Sequence, residues 1–113
     1  MPKRGDVFMA RLDPQEGYEQ AGSRPVIVVS RDSINQYSPV VVIVPVTDRN
    51  HKQRDYPSHV VLKAGDGGLS KESVALGEQV RAISTTRFLR QIGHLAPQSI
   101  TQIGAALKIA LDL

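Results

Sequence analysis

Two runs of β-branched residues, Val26-Ile27-Val28-Val29-Ser30 and the stretch 40–46, constrain this chain more than anything else in it. A continuous Val/Ile run has no polar face to give to solvent, so it fits a strand covered on both sides. Pro45 lies inside the second run. It cannot donate to a ladder, so that strand is at an edge, bulged, or finished by then. Between the runs, residues 31–37 predict a short helical turn, with Ser30 or Asp32 as its N-cap. Residues 6–12 alternate, placing Phe8, Ala10 and Leu12 on one face and Val7, Met9 and Arg11 on the other. Residues 58–62 and 74–76 read as further strands, residues 79–83 as a continuation of the sheet, and 89–95 as a weaker candidate. Gly65-Asp66-Gly67-Gly68 marks a turn.

The period changes near the end. Ile100, Ile103, Leu107 and Leu111 follow spacings of three, four and four, one stripe of an amphipathic helix, and Pro97 suits its first turn. The stripe needs a surface to cover, and the sheet is the large one available. The expected fold is mainly β (α+β): a small barrel-like antiparallel sheet with short helical turns and a C-terminal amphipathic helix packed on it. The helix could equally cover a partner subunit, since so small a domain gains from added burial.

At 113 residues the chain suits one domain, 1–113, and no repeat, low-complexity tract or linker divides it. Three Tyr and two Phe are its only aromatics, so the core is aliphatic. Without cysteine, disulfides and thiolate metal sites are excluded, which fits a reducing cytoplasm. The start, Met1-Pro2-Lys3-Arg4-Gly5-Asp6, leads into no hydrophobic signal segment, and no apolar run reaches the ~20 residues of a membrane span, so a cytoplasmic protein is expected. Fourteen Lys plus Arg against eleven Asp plus Glu leave a formal charge of +3, a weak preference for a polyanionic partner.

The first strand leads into Asp13-Pro14 and a polar loop, Gln15-Glu16-Gly17-Tyr18-Glu19-Gln20-Ala21-Gly22-Ser23, which ends in Arg24-Pro25. One arginine thus stands between a loop and a strand, where a charge is held still yet stays reachable. Gly5-Asp6-Val7, Asp13-Pro14, Gly17, Glu19-Gln20, Gly22, Arg24-Pro25 and Val28-Val29-Ser30 stand in a characteristic order. Ser38-Pro39, Pro45-Val46-Thr47, Pro57-Ser58-His59-Val60 and Glu78-Gln79-Val80-Arg81-Ala82-Ile83 continue it. In that order and spacing the chain resembles, over essentially its whole length, the MazF/PemK family of toxin endoribonucleases. The resemblance implies an SH3-like, CcdB-like barrel and a homodimer. It implies sequence-selective, metal-independent cleavage of single-stranded RNA, with no cofactor. It also implies a cognate antitoxin whose flexible segment occupies the RNA groove. Two departures, Tyr18 where the family often has Ser and the loop 48–55, lie where RNA sequence preference would be set.

RNA carries its own nucleophile, the 2′-hydroxyl. Cleavage without metal needs deprotonation of that hydroxyl, stabilisation of a charged phosphorane-like transition state, and protonation of the leaving 5′-oxygen. The implied products are a 2′,3′-cyclic phosphate and a 5′-hydroxyl end. Arg24 has the planar guanidinium that suits two phosphate oxygens at once. Read without the resemblance, it is a surface arginine paired with Glu16 or Glu19; with it, Arg24 matches the family's catalytic arginine. Thr47 has a hydroxyl that can donate to a phosphate oxygen. By itself it reads as a β-branched strand residue; the resemblance matches it to the catalytic threonine. A guanidinium stays charged over the working range of proteins, so Arg24 is assigned to transition-state charge. The base is left among Glu19, Glu78, His51 and His59. His59 also reads as a structural histidine at a strand start, and His51 as a solvated loop residue.

Glu19, Gln20, Glu78 and Gln79 carry groups able to read the base edges that single-stranded RNA exposes, and Tyr18 can stack on a base. Ordinary loop polarity explains the same residues. Arg49, Lys52 and Arg54 read as phosphate contacts on the groove rim, or as a solvated charged loop. Arg81 contacts RNA or braces the sheet. His51, His59 and His94 lack zinc-ligand spacing, so no metal site is expected. The alternatives are a non-catalytic toxin of the same fold that inhibits DNA gyrase, as the CcdB family does, and an inactive RNA-binding relative.

Overall fold

The computed structural model describes residues 1–12, 22–49 and 56–113. Its strands are β1 (Asp6–Arg11), β2 (Ser23–Val28), β3 (Val40–Asp48), β4 (His59–Leu62), β5 (Ser73–Leu76), β6 (Arg81–Ser84) and β7 (Phe88–His94). A short helix, α1 (Asp32–Tyr37), joins β2 to β3, and α2 (Pro97–Leu111) closes the order. All pairings are antiparallel, in the order β4-β5-β3-β2-β1-β7, with β6 also on β3. This is the mainly β architecture with a C-terminal helix that the sequence pattern predicts.

The long β3 shows why Pro45 is tolerated in the middle of a sheet. Residues Val40 to Ile43 pair with β6, and Val46 to Asp48 pair with β5. On the opposite edge, Ile43 to Pro45 pair with β2. Pro45 therefore falls where β3 hands over from β6 to β5, and the missing N–H interrupts neither ladder. The strand neither ends nor lies at an edge there. β2 begins earlier than its Val/Ile run, because Arg24 and Pro25 already pair with Ala10 and Met9 of β1.

The sheet has apolar side chains on both faces. One cluster joins Val7, Ile27, Val44, Val46, Leu62 and Leu95 to Ile103 and Ala106 of α2, with Ile100 and Leu107 packed against it. Replacing the buried Ile103 by alanine would cost about 2–5 kcal/mol. The helical stripe is thus used as far as Leu107, while Leu111 is half exposed. The other cluster contains Ala10, Leu12, Val26, Val28, Val41, Ile43 and Ile83, and is edged by the stacked rings of Phe8 and Phe88, 4.2 Å apart. No helix among the described residues is long and apolar enough to cross a membrane.

One local feature departs from the expected caps. The N-cap of α1 is Arg31, with no side-chain cap bond. Ser30 instead donates from Oγ to Asn35 and accepts from the Val42 amide at 3.0 Å, which ties α1 to β3. Asp32 accepts from the Arg4 amide at 2.7 Å. The turn Asp66–Gly68 is pressed onto β7: a Cβ at Gly68, whose φ is +79°, would lie 1.9 Å from the Ile92 carbonyl oxygen. That contact holds Leu69 and Ser70 close to β7, and Asp66 fixes the start of α2 by accepting from the Ala96 amide at 2.9 Å and from Ser99.

Candidate active site

Arg24 is the second residue of β2 and Thr47 the eighth of β3. The β2–β3 ladder is paired from Val28↔Ile43 to Val26↔Pro45. Two residues further in the same register come Arg24 and Thr47. The fold therefore brings two distant chain positions to neighbouring strand ends. Thr47 is also paired with Val74 of β5 and is 7% exposed, so its backbone is fixed from the side away from β2.

Both residues line a cleft of about 460 Å³. Its floor includes Met9, Pro25, Val46 and Ile92, and its wall is the Gly68 to Lys71 segment held against β7. Met9 is in register with Pro25 on one side and with Arg90 on the other, and Arg90 also lines the cleft. At the rim Lys71 Nζ lies 3.3 Å from Asp48 Oδ2. Among the described residues the lining thus carries three cations, Arg24, Lys71 and Arg90, against one carboxylate, Asp48. Such an apolar floor with a cationic border suits a flexible polyanion: phosphates at the border, other groups on the floor. The Ser73 hydroxyl is engaged in the turn, donating to the Lys71 carbonyl at 2.8 Å.

The other candidates are placed elsewhere. Arg49 follows β3, and its guanidinium lies 3.3 Å from Glu72 while its amide donates to the Glu72 carbonyl at 3.3 Å. Glu78 and Gln79 stand in the turn Gly77–Gln79 after β5, and Arg81 opens β6 opposite Ile43. None of these four lines the cleft of Arg24 and Thr47. Tyr18, Glu19, Gln20, Lys52 and Arg54, with His51, lie outside the described residues.

Two of the base candidates are bonded to each other. His59 Nε2 lies 2.8 Å from Glu78 Oε2, and Ser58 Oγ donates to Glu78 Oε1 at 2.8 Å. Tyr56 meets the His59 ring edge-on, with centroids 4.9 Å apart. Burial pushes the Glu78 carboxyl up, but the hydrogen bonds from His59 and Ser58 outweigh it and hold the group below the ordinary carboxylate range. His59 Nδ1 is buried with no hydrogen-bond partner among the described residues. His59 is opposite Leu76, at the far end of β5 from Ser73, about 10 Å along the strand. Neither His59 nor Glu78 lines the cleft beside Arg24 within this chain. The hairpin carries both away from it, and a carboxylate stabilised by two donors is a weak proton acceptor.

Arg90, Lys71 and Met9 belong to the cleft and were not marked by the sequence. The obstacle is register. The β1–β7 ladder shifts between Val7 and Phe8 and again between Met9 and Ala10, so strand alternation alone does not tell which β7 residue faces Met9.

Known proteins match this arrangement throughout its length. A family model described as PemK-like, MazF-like toxin of type II toxin-antitoxin system matches residues 3–111. Endoribonuclease MazF of Staphylococcus saprophyticus is 36% identical over 113 residues, which span all of this chain and 93% of that protein. Among solved structures, MazF of Deinococcus radiodurans superposes with a TM-score of 0.82 at 26% identity, covering 99% of this chain and 97% of that one. A mycobacterial endoribonuclease in complex with its cognate antitoxin gives 0.80 at 25% identity, covering 100% and 97%. The chain belongs to the family of PemK-like, MazF-like toxins of type II toxin–antitoxin systems.

Proposed function

We propose that this toxin endoribonuclease cleaves single-stranded RNA in the cleft bordered by Arg24 and Thr47, without a metal ion. The observation that carries the reading is their convergence: one guanidinium and one hydroxyl, from two strands, at one open cleft. The 2′-oxygen of the substrate attacks phosphorus and gives its proton to a base. The bond from phosphorus to the 5′-oxygen breaks, and that oxygen takes up a proton. A 2′,3′-cyclic phosphate and a 5′-hydroxyl end result. Arg24 holds the charge that accumulates on the phosphoryl oxygens, and Thr47 donates to one of them. Both interactions strengthen as the transition state forms, which is what accelerates the step.

A cognate antitoxin inhibits the enzyme by occupying this groove; the mycobacterial neighbour, seen with its own antitoxin, supports that reading. The active form is a homodimer in the cytoplasm. Ile109, Leu111 and Leu113, each at least half exposed at the end of the chain, supply apolar surface for a second copy to cover. The test is to incubate the protein with long RNA in EDTA and to sequence the new 5′-hydroxyl ends. Cleavage at a recurring sequence is expected. Intact RNA together with gyrase inhibition would place the chain with the CcdB-like poisons, and salt-dependent binding without new ends would make it an inactive RNA binder.

A further inference from the structure

We propose that Arg90 forms a second phosphate site of the cleft, which grips an RNA backbone phosphate next to the scissile one and so sets where the strand lies; this rests on the reading of Arg24 and Thr47 as the cleavage site. Three observations converge on it. Arg90 lines the same cleft as Arg24 and Thr47. Its position is fixed by sheet geometry, because Met9 is in register with both Pro25 and Arg90. Arg90 therefore stands two strand spacings from Pro25, about 10 Å across the floor, on a different strand from either catalytic candidate. Finally, its side chain has no ion pair or hydrogen bond among the described residues, while Lys71 faces Asp48 and Arg49 faces Glu72.

The chemistry follows from those positions. A guanidinium is weakly hydrated and planar, and binds a phosphodiester through two parallel donors. One cation at the scissile phosphate leaves the strand free to swing about it. A second cation across the floor fixes the direction of the strand, and because that phosphate does not react, the contact is equally strong in the ground state and in the transition state. Arg90 is a substrate-binding residue here and takes no part in proton transfer. It reads no base, so its loss weakens binding alike for all RNA sequences.

The experiment uses the full-length protein and an oligoribonucleotide containing the cleaved sequence. Arg90→Ala should raise KM about five- to tenfold with kcat within about twofold. Binding of an uncleavable analogue, 2′-deoxy at the cleavage position, should lose about 0.7 from its logarithmic salt slope. Arg90→Lys should restore part of the affinity and the whole slope. Neutral methylphosphonate linkages placed one at a time beside the scissile bond identify the partner. One of them should weaken the wild type and leave Arg90→Ala unaffected. An unchanged KM and salt slope in Arg90→Ala overturns the proposal. So does coupling to none of the linkages, or a loss of affinity for an acidic antitoxin peptide with RNA binding intact. Failure of the underlying reading looks different: the wild type itself would then leave the RNA uncut.

Discussion

The β4–β5 hairpin has two ends with similar side chains and opposite uses of them. At one end Thr47, Asp48 and Ser73 stand beside Arg24 at an open cleft. At the other, Ser58, His59 and Glu78 close on one another, with His59 only 6% exposed. On composition the second end is the better catalytic site, holding a hydroxyl, an imidazole and a carboxylate. Yet its hydrogen bonds are internal, and they lower the proton affinity of the carboxylate that a base would need. Among the described residues the first end has no histidine, but it borders a cavity lined by three cations and one carboxylate. What separates them is whether charge is directed at a space that a ligand can enter.

The largest effect that would sharpen this contrast is at Arg24. Arg24→Ala should lower kcat about 10²- to 10³-fold, the usual loss when a group that holds transition-state charge is removed. The residue is half-buried at a strand end, so thermal unfolding should move by only a few degrees, measured by circular dichroism on the same preparation. Full activity in a folded Arg24→Ala protein would break the contrast at its stronger end.

The fold and this site differ in how far the sequence discloses them. Val/Ile runs, the alternation in residues 6–12 and the 3,4,4 spacing in α2 announce strands and a helix, because burial of one face imposes a period. Leu111 breaks the pattern, since α2 outruns the sheet beneath it. Pro45 misleads in the other direction: a strand that changes partners tolerates a proline at the handover. Arg24 and Thr47 gain their meaning from family resemblance, and the β2–β3 register then accounts for their meeting. Arg90 needed the register of a ladder with two shifts, which is a property of the whole sheet. Glu78 and His59 were legible as reactive residue types, but their mutual bond depends on the hairpin that joins β4 and β5.

A smaller effect is expected at Thr47, and it separates the hydroxyl from the shape. Thr47→Val keeps the β-branched outline that β3 packs, and removes the donor. A hydrogen bond to a charged group contributes about 1.5–3 kcal/mol, so kcat should fall about ten- to a hundredfold. Thr47→Ser restores the hydroxyl and should bring activity back to within a few-fold of wild type, at some cost in strand stability. Equal losses in both variants would mean that the methyl group matters as much as the hydroxyl, and a loss in Thr47→Ser alone would mean that the hydroxyl does not matter. Melting temperatures of the two proteins, compared with single-turnover cleavage rates, resolve the two contributions.

The smallest effect belongs to the closed end of the hairpin and is read in stability. Glu78 has its carboxyl held below the ordinary value of 4.5 in the folded chain. Near that pH the unfolded state binds more protons than the native one, so stability rises with pH there. The contribution of Glu78 is fully present above the unfolded value and is lost as pH falls through the lower folded one. Glu78→Gln should therefore be less stable than wild type at neutral pH, and the gap should close as the pH drops well below 4.5. Its side chain is 37% exposed, so solvent screening keeps the difference to about 1 kcal/mol or less. Urea denaturation of both proteins across the acid range measures it, with RNA cleavage at neutral pH expected to stay within about threefold. A gap that persists in strong acid would show that the hydrogen-bonding pattern of the neutral carboxyl, and not its charge, is what Glu78 supplies. Loss of cleavage at unchanged stability would instead show that Ser58, His59 and Glu78 reach the substrate.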